Sequence, residues 1–293
     1  MTSMSRRELL AGAAGAAAGG ALTLPEAAGA QERRSEPPFR LGTVTYNVPK
    51  DWDLPTLLKI LPAAGLTAIE LRTTHAHGVE PSLSSAQRAE VRKRCADAGI
   101  RQLSLGTTCE FQHPDPAVVR KNIDECREFV KLAADIGAIG IKVRPNGLPA
   151  GVPVEKTLEQ IGTALRECGD IAREHGREIW VEVHGGGTQE PANMRRIMDV
   201  CGHKSVGINW NSNPTDVKNG SVRESFALLK PSLVSVHINN LWGPYPYREL
   251  FTLLREADFR RYTLCEVGHA VKAEDGQIFF DCYHGLWREL ARS

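Results

Sequence analysis

Two glutamates and a histidine, each set in an apolar run, are the residues of this chain best suited to chemistry. Glu182 follows Ile179-Trp180-Val181, His237 follows Ser235-Val236, and Glu266 follows Thr263-Leu264-Cys265. A carboxylate in apolar surroundings is costly unless it is paired, protonated or bound to a cation. Residues two apart share a strand face, so His184 points with Glu182, and Lys142 with Arg144. Asn211 closes the run from Val206, and Glu70 and Arg72 close the run from Ala68. Glu182, His237 and Glu266, with Asn211 as a neutral oxygen donor, make a ligand set for one divalent ion. Oxygen-rich ligation with a single imidazole suits Mn²⁺ or Mg²⁺, with Zn²⁺ or Co²⁺ as alternatives. His184, Lys142, Arg144 and Glu70 are candidates to contact a hydroxylated or anionic substrate.

These residues need a frame that brings them together. Eight short apolar runs read as strands: Leu41–Asn47, Ala68–Arg72, Gln102–Thr107, Ile139–Arg144, Ile179–His184, Val206–Asn211, Leu233–Asn239 and Tyr262–Val267. They recur about every thirty residues, the size of one βα unit. Helical periodicity fills Ser84–Ala98, Ala117–Ile136 and Val154–His175, each stopped by a glycine, Gly99, Gly137 or Gly176. Pro191–Val200, Val222–Leu229, Pro246–Glu256 and Gln277–Leu290 complete the helices. Eight such units without an internal linker predict an α/β fold, a single (β/α)8 TIM barrel over residues 39–293. The competing doubly wound sheet usually carries a GxGxxG turn after its first strand, and Tyr46-Asn47-Val48-Pro49 stands there instead. In a barrel the active site lies at the C-terminal strand ends, where all the candidates above fall.

Residues 1–30 read as a twin-arginine (Tat) signal peptide. Arg6-Arg7 precedes an Ala/Gly-rich run ending in the small-x-small pattern Ala28-Gly29-Ala30, and residues 31–38 form a short linker. The expectation is a periplasmic or otherwise exported protein, handled folded by the Tat machinery, with no stable membrane anchor. Seven scattered cysteines without a CxxC pair read as ordinary thiols and not as a disulfide framework. A formal net charge of +1 and 6% aromatic residues exclude a basic, base-stacking surface for nucleic acid.

Ile69-Glu70-Leu71-Arg72, Trp180-Val181-Glu182-Val183-His184, Ser235-Val236-His237-Ile238 and Thr263-Leu264-Cys265-Glu266, in this order and spacing, resemble the xylose isomerase-like TIM barrels, the sugar phosphate isomerase/epimerase superfamily. Pro244 to Phe251 resembles a stretch of its exported, twin-arginine branch. The resemblance implies a metal held by Glu182, Asn211, His237 and Glu266, a small-molecule sugar substrate and, since such barrels often pair, a homo-oligomer. The family's ligand at position 211 is Asp, and a His often stands where Pro214 does here.

The implied chemistry is an isomerase or epimerase reaction on a sugar or cyclitol. The ion polarises a carbonyl, one glutamate removes the α proton and the other returns it. Loss of a β-substituent after the same first step gives a lyase or dehydratase. A catalytically degenerate, exported sugar-binding barrel and a metal-free isomerase are the alternatives. Blander readings stand beside these: Glu182 and Glu266 as buried salt bridges to Lys142 or Arg144, His237 as a satisfied core histidine, Glu70 with Arg72 as an ion pair on the barrel floor. His75, His77 and His113 read as solvated loop residues, and Tyr245 to Arg248 as packing.

Overall fold

Eight parallel strands close into a barrel in chain order, each hydrogen-bonded to its sequence neighbours and the last to the first. The structure, a computed structural model, describes residues 36–292. The expected signal peptide and the start of the 31–38 linker lie outside the described residues. The strands are β1 (Arg40–Val44), β2 (Ala68–Arg72), β3 (Gln102–Glu110), β4 (Gly140–Arg144), β5 (Glu178–Glu182), β6 (Val206–Asn211), β7 (Leu233–Ile238) and β8 (Tyr262–Cys265). Between and after them run α1 (Leu54–Ala63), α2 (Ser85–Asp97), α3 (Pro116–Ile136), α4 (Val154–Glu174), α5 (Pro191–Cys201), α6 (Arg223–Leu229), α7 (Tyr247–Glu256) and α8 (Ala273–Ala291).

Local chemistry explains most boundaries. At the start of α2, the Ser84 hydroxyl accepts the Gln87 backbone N–H while the Gln87 side-chain Oε1 accepts the Ser84 backbone N–H, a reciprocal cap. Gly137 ends α3 at φ 78°, a left-handed position that favours glycine. Helix α1 is absent from the sequence expectation. Pro55 in its first turn and Pro62 near its end obscure the period, yet Asp53 caps it by accepting the Thr56 N–H at 2.9 Å. Helix α8 begins at Ala273 and not at Gln277, with Glu274 and Asp275 in its first turn, where acidic groups suit the helix dipole.

Several strands end earlier than the apolar runs suggest. Strand β5 stops at Glu182 and β8 at Cys265, so His184 and Glu266 stand just beyond the sheet. The chain leaves β1 at Val44 and turns at Asn47, with φ 69°. Strand β3 runs longer, to Glu110, because its pairing with β4 is irregular between Gly106 and Glu110, which sets Glu110 opposite Arg144.

Outward-facing strand residues such as Ile141, Val181, Ile208 and Val236 are buried under the helices. The barrel floor is closed by Trp180. A Cβ on Gly140 would run into its indole ring. Its Nε1–H donates to Glu178 at 2.8 Å, and Arg261 holds Glu178 through two bonds of 2.6 and 2.7 Å. All seven cysteines are free. Among the described residues no helix is long and apolar enough to cross a membrane.

Candidate active site

A cavity of about 700 Å³ opens at the C-terminal ends of the strands. Glu70, Lys142, Arg144, Glu182, His184, Asn211 and Glu266 line it, as does Arg72. His237 lies beneath, fully buried, in register with Asn211 on the adjacent strand. The fold therefore brings together at one mouth every candidate that the sequence nominated.

The centre is a knot of buried charge around His237. Its Nδ1 lies 3.4 Å from Glu266 Oε2 and 3.8 Å from Glu182 Oε1, and makes no hydrogen bond. Its Nε2 lies 3.4 Å from Glu70 Oε2. Glu182 Oε2 accepts a 2.7 Å bond from Lys142 Nζ, with both side chains buried. Burial opposes charge on the imidazole, but Glu266 and Glu70 outweigh it and hold the His237 pKa well above its ordinary value. Burial likewise works to raise the Glu182 pKa, and Lys142 and then His237 override it and hold the carboxyl ionised. Lys142 stays charged because Glu182, Glu70 and Glu266 overcome its own desolvation.

One donor atom from each of Glu182, His237 and Glu266 lies within 4.8 Å of the others. Asn211, in register with His237, has its Oδ1 buried without a hydrogen-bond partner, while its Nδ2 reaches Asn213 Oδ1 at 3.4 Å. Two carboxylates and an imidazole nitrogen thus converge, with an unpartnered amide oxygen on the strand next to His237, and this donor set fits a divalent cation. Glu70 on the far ring nitrogen is the partner that a metal-ligating histidine ordinarily has.

Other expectations change. Glu70 and Arg72 form no ion pair on the floor. Both face the mouth, Glu70 toward His237, and Arg72 toward Thr73, Thr74 and the Tyr46 ring. Residues two apart on a strand point the same way, but here their heads separate to different depths. Arg144 pairs with Glu110 at 2.5 Å and not with Glu182. His77 is not solvated, and His75 is only partly so. His75 bonds Thr45 Oγ1 at 3.0 Å, and burial and then Arg72 push its pKa down to about 4. His77 is buried, its Nε2 donating to the Arg72 carbonyl at 2.8 Å. His113 is exposed as expected.

Two features go beyond the sequence reading, in which Tyr245 to Arg248 are packing and Asp216 is passed over. Tyr245 and Tyr247 line the cavity. The Tyr247 hydroxyl accepts the Asn239 N–H at 2.8 Å, and burial pushes its pKa up to about 12. The Tyr245 hydroxyl donates to Asp216 Oδ2 at 2.9 Å and accepts from Trp210 Nε1. Asp216 follows the turn after β6 and is wholly buried, and its Oδ1 has no partner. Burial pushes its pKa up to about 7 against the bonds from Asn213 and Tyr245. The signal available was an acid two residues past Pro214, in the short turn that follows β6.

The family profile of the xylose isomerase-like TIM barrel matches residues 58–281, most of the chain. The chain belongs to that family. No curated protein matches it. Among solved structures, the IolI protein with a binding zinc atom is 16% identical with a TM-score of 0.72, covering 86% of this chain and 98% of that one. L-ribulose 3-epimerase is 15% identical with a TM-score of 0.71, covering 87% and 96%. The 3-keto-D-glucoside 4-epimerase of E. coli is 14% identical with a TM-score of 0.68, covering 85% and 99%. At such identities the likeness is one of fold. Within the xylose isomerase-like barrel, this chain carries Asn211 and Pro214 on the wall that β6 supplies.

Proposed function

We propose that this chain is an isomerase or epimerase of sugars or cyclitols, dependent on a divalent metal ion and using Glu182 and Glu266 as its proton-transfer pair. The observation that carries this reading is the convergence of Glu182, His237 and Glu266 donor atoms within 4.8 Å at the wall of the mouth cavity. The zinc of the IolI structure and the 3- and 4-epimerase activities named for the structural neighbours support it. A divalent cation held by Glu182, Asn211, His237 and Glu266 would supply Lewis acidity to a ketone beside the C–H to be broken.

The protein groups do the rest. Glu70 accepts the proton of His237 Nε2 and so fixes the ring with Nδ1 facing the donor cluster, where a bound cation would take the place of the Nδ1 proton. Lys142 keeps Glu182 ionised in a buried position. Glu266, at the cavity edge with no lysine or arginine partner among the described residues, is placed to take the α proton. Glu182 relays a proton from the Lys142 ammonium, 2.7 Å away, to the opposite face or to the neighbouring carbon, and the proton held by Glu266 restores the charge balance. Elimination would share this first step. The Tat-type leader, if it directs export, would bring the site to free or glycosidic sugars.

Solvent deuterium appearing at a sugar C–H with Mn²⁺-loaded protein is the expected result. Glu182→Gln and Glu266→Gln should each cut that exchange by about 10²–10⁴-fold. A wild-type chain that binds a saccharide but exchanges nothing would instead establish the sugar-binding barrel that the Asn211 and Pro214 departures also suggest. Absence of bound divalent metal after equilibration with Mn²⁺, Mg²⁺ or Zn²⁺ would remove the metal from the reading.

A further inference from the structure

The inner row where β2, β3 and β4 meet pairs Arg72 with Gly106 and Gly106 with Lys142. Gly106 contributes no side chain between two cations. A Cβ there would come within 2.8 Å of Glu70 Oε1 and 3.3 Å of the Arg72 backbone, so the position is kept open. Arg72 stands at the edge of this gap, half-buried and lining the cavity. Its Nη1 is fully used, donating to the Thr73 carbonyl at 2.7 Å and to Thr74 Oγ1 at 2.8 Å. Its guanidinium carbon lies 5.7 Å from the centre of the Tyr46 ring. The Nε and Nη2 groups, the edge that forms a two-pronged bond to an oxyanion, have no partner among the described residues. No carboxylate neutralises Arg72 there. One row further out, Arg144 Nε is buried without a partner although Nη2 is committed to Glu110. His184 Nδ1, in the segment just after β5, is also buried and unpartnered.

We propose that the substrate is an acidic sugar whose oxyanion, a carboxylate or a phosphate, is gripped by the free edge of Arg72 on the β2–β4 wall. The proposal rests on the mouth being a sugar site, and it adds the chemical class of the sugar. The fixed guanidinium loses little freedom on binding, since Thr73, Thr74 and Tyr46 already orient it. The charge balance agrees. Arg72, Lys142 and Arg144 line the cavity against Glu70, Glu182 and Glu266, and Asn211 adds no negative charge. A divalent ion at the donor cluster would leave the mouth net positive, which favours an anion.

The test is isothermal titration of the full chain in Mn²⁺ buffer with D-fructose, D-fructuronate and D-fructose 6-phosphate. One of the two anions should bind about ten- to a hundredfold more tightly than fructose, and which one names the oxyanion. In Arg72→Met the ratio should collapse toward one, and in Arg72→Lys, which keeps charge but loses the fork, it should fall between. In the wild type the preference should shrink as salt is raised, a readout that does not depend on any variant folding. Equal affinity for all three sugars, or a preference that survives Arg72→Met, overturns the proposal. Deuterium exchange on the same samples separates the two readings. Exchange with fructose at equal affinities keeps the isomerase and discards the anion grip. An anion preference without exchange keeps the grip and discards the catalysis.

Discussion

The two walls of the barrel mouth are unlike. From β2 to β4 it presents Arg72, Lys142 and Arg144, and from β5 to β8 it presents Glu182, Asn211, His237 and Glu266. Glu70 crosses between them to reach His237, and Lys142 crosses the other way to reach Glu182. The contrast teaches how one barrel rim can gather oxygen donors on one side and cationic N–H donors on the other. One wall gathers oxygen donors that no protein group fully satisfies, and the other keeps, at the free edge of Arg72 and at Arg144 Nε, N–H donors that no protein carboxylate takes up. Two carboxylates on the acidic side show the physics at its plainest. Glu182 and Asp216 are both buried, yet Glu182 has Lys142 beside it and is held ionised, while Asp216 has only neutral partners and is pushed up to about 7.

The largest expected effect comes from cutting the link between the walls. Lys142→Met leaves Glu182 buried without its cation, a change that costs about 3–5 kcal/mol of stability. Urea unfolding without divalent metal should show that loss, and added Mn²⁺ should recover part of it by binding the folded state. A loss under about 1 kcal/mol would mean that Glu182 simply takes up a proton, and the electrostatic division between the walls would lose its keystone.

Asp216 gives the next effect. Folded, its carboxyl keeps a proton up to about pH 7, whereas unfolded it releases it near the ordinary 3.8. Between those values the folded state binds the extra proton, so this group lowers stability as pH rises from about 4 to about 7 and adds nothing further above. Asp216→Asn retains an oxygen to accept from Asn213 and Tyr245. The variant should therefore gain on the wild type across that window, by up to about 4 kcal/mol. Parallel stability–pH curves for the two proteins would show that Asp216 is ionised in the fold after all.

How much of this was legible in the sequence follows from the physics of each part. The barrel was, because β-strands such as Val206–Asn211 and Ala68–Arg72 are short, apolar and evenly spaced, and their ends coincide with the expected runs. The donor cluster was, because Glu182, His237 and Glu266 are polar in apolar company. The cationic wall was half legible. Lys142 and Arg144 announce a shared face, but that Arg144 turns to Glu110 depends on the irregular pairing of β3, which leaves no mark in composition. Arg72 pointed to Glu70 by proximity, and only the third dimension separates them. Asp216 and Tyr245 meet across 29 residues, a contact that no local pattern encodes.

The smallest effect is the sharpest test of the comparison, because it moves two measurements in opposite directions. Asn211→Asp puts a third carboxylate on the strand between those of Glu182 and His237, where now an amide oxygen stands buried and unpartnered. Without a divalent ion, like charges crowd and the variant should be less stable than the wild type. With one, the added charge should tighten binding of Mn²⁺ about tenfold, roughly 1.4 kcal/mol, by calorimetric titration. Unchanged affinity would mean that Asn211 is not a ligand and that the ion, if held, rests on Glu182, His237 and Glu266 alone. The same substitution also reaches the opposite wall. It lowers the positive balance of the mouth by one charge, so an acidic sugar should bind the variant more weakly relative to a neutral one. If metal affinity rises while that ratio stays fixed, the two walls act independently. If both shift, the asparagine at the end of β6 is the residue through which the chain trades grip on a cation for grip on an anion.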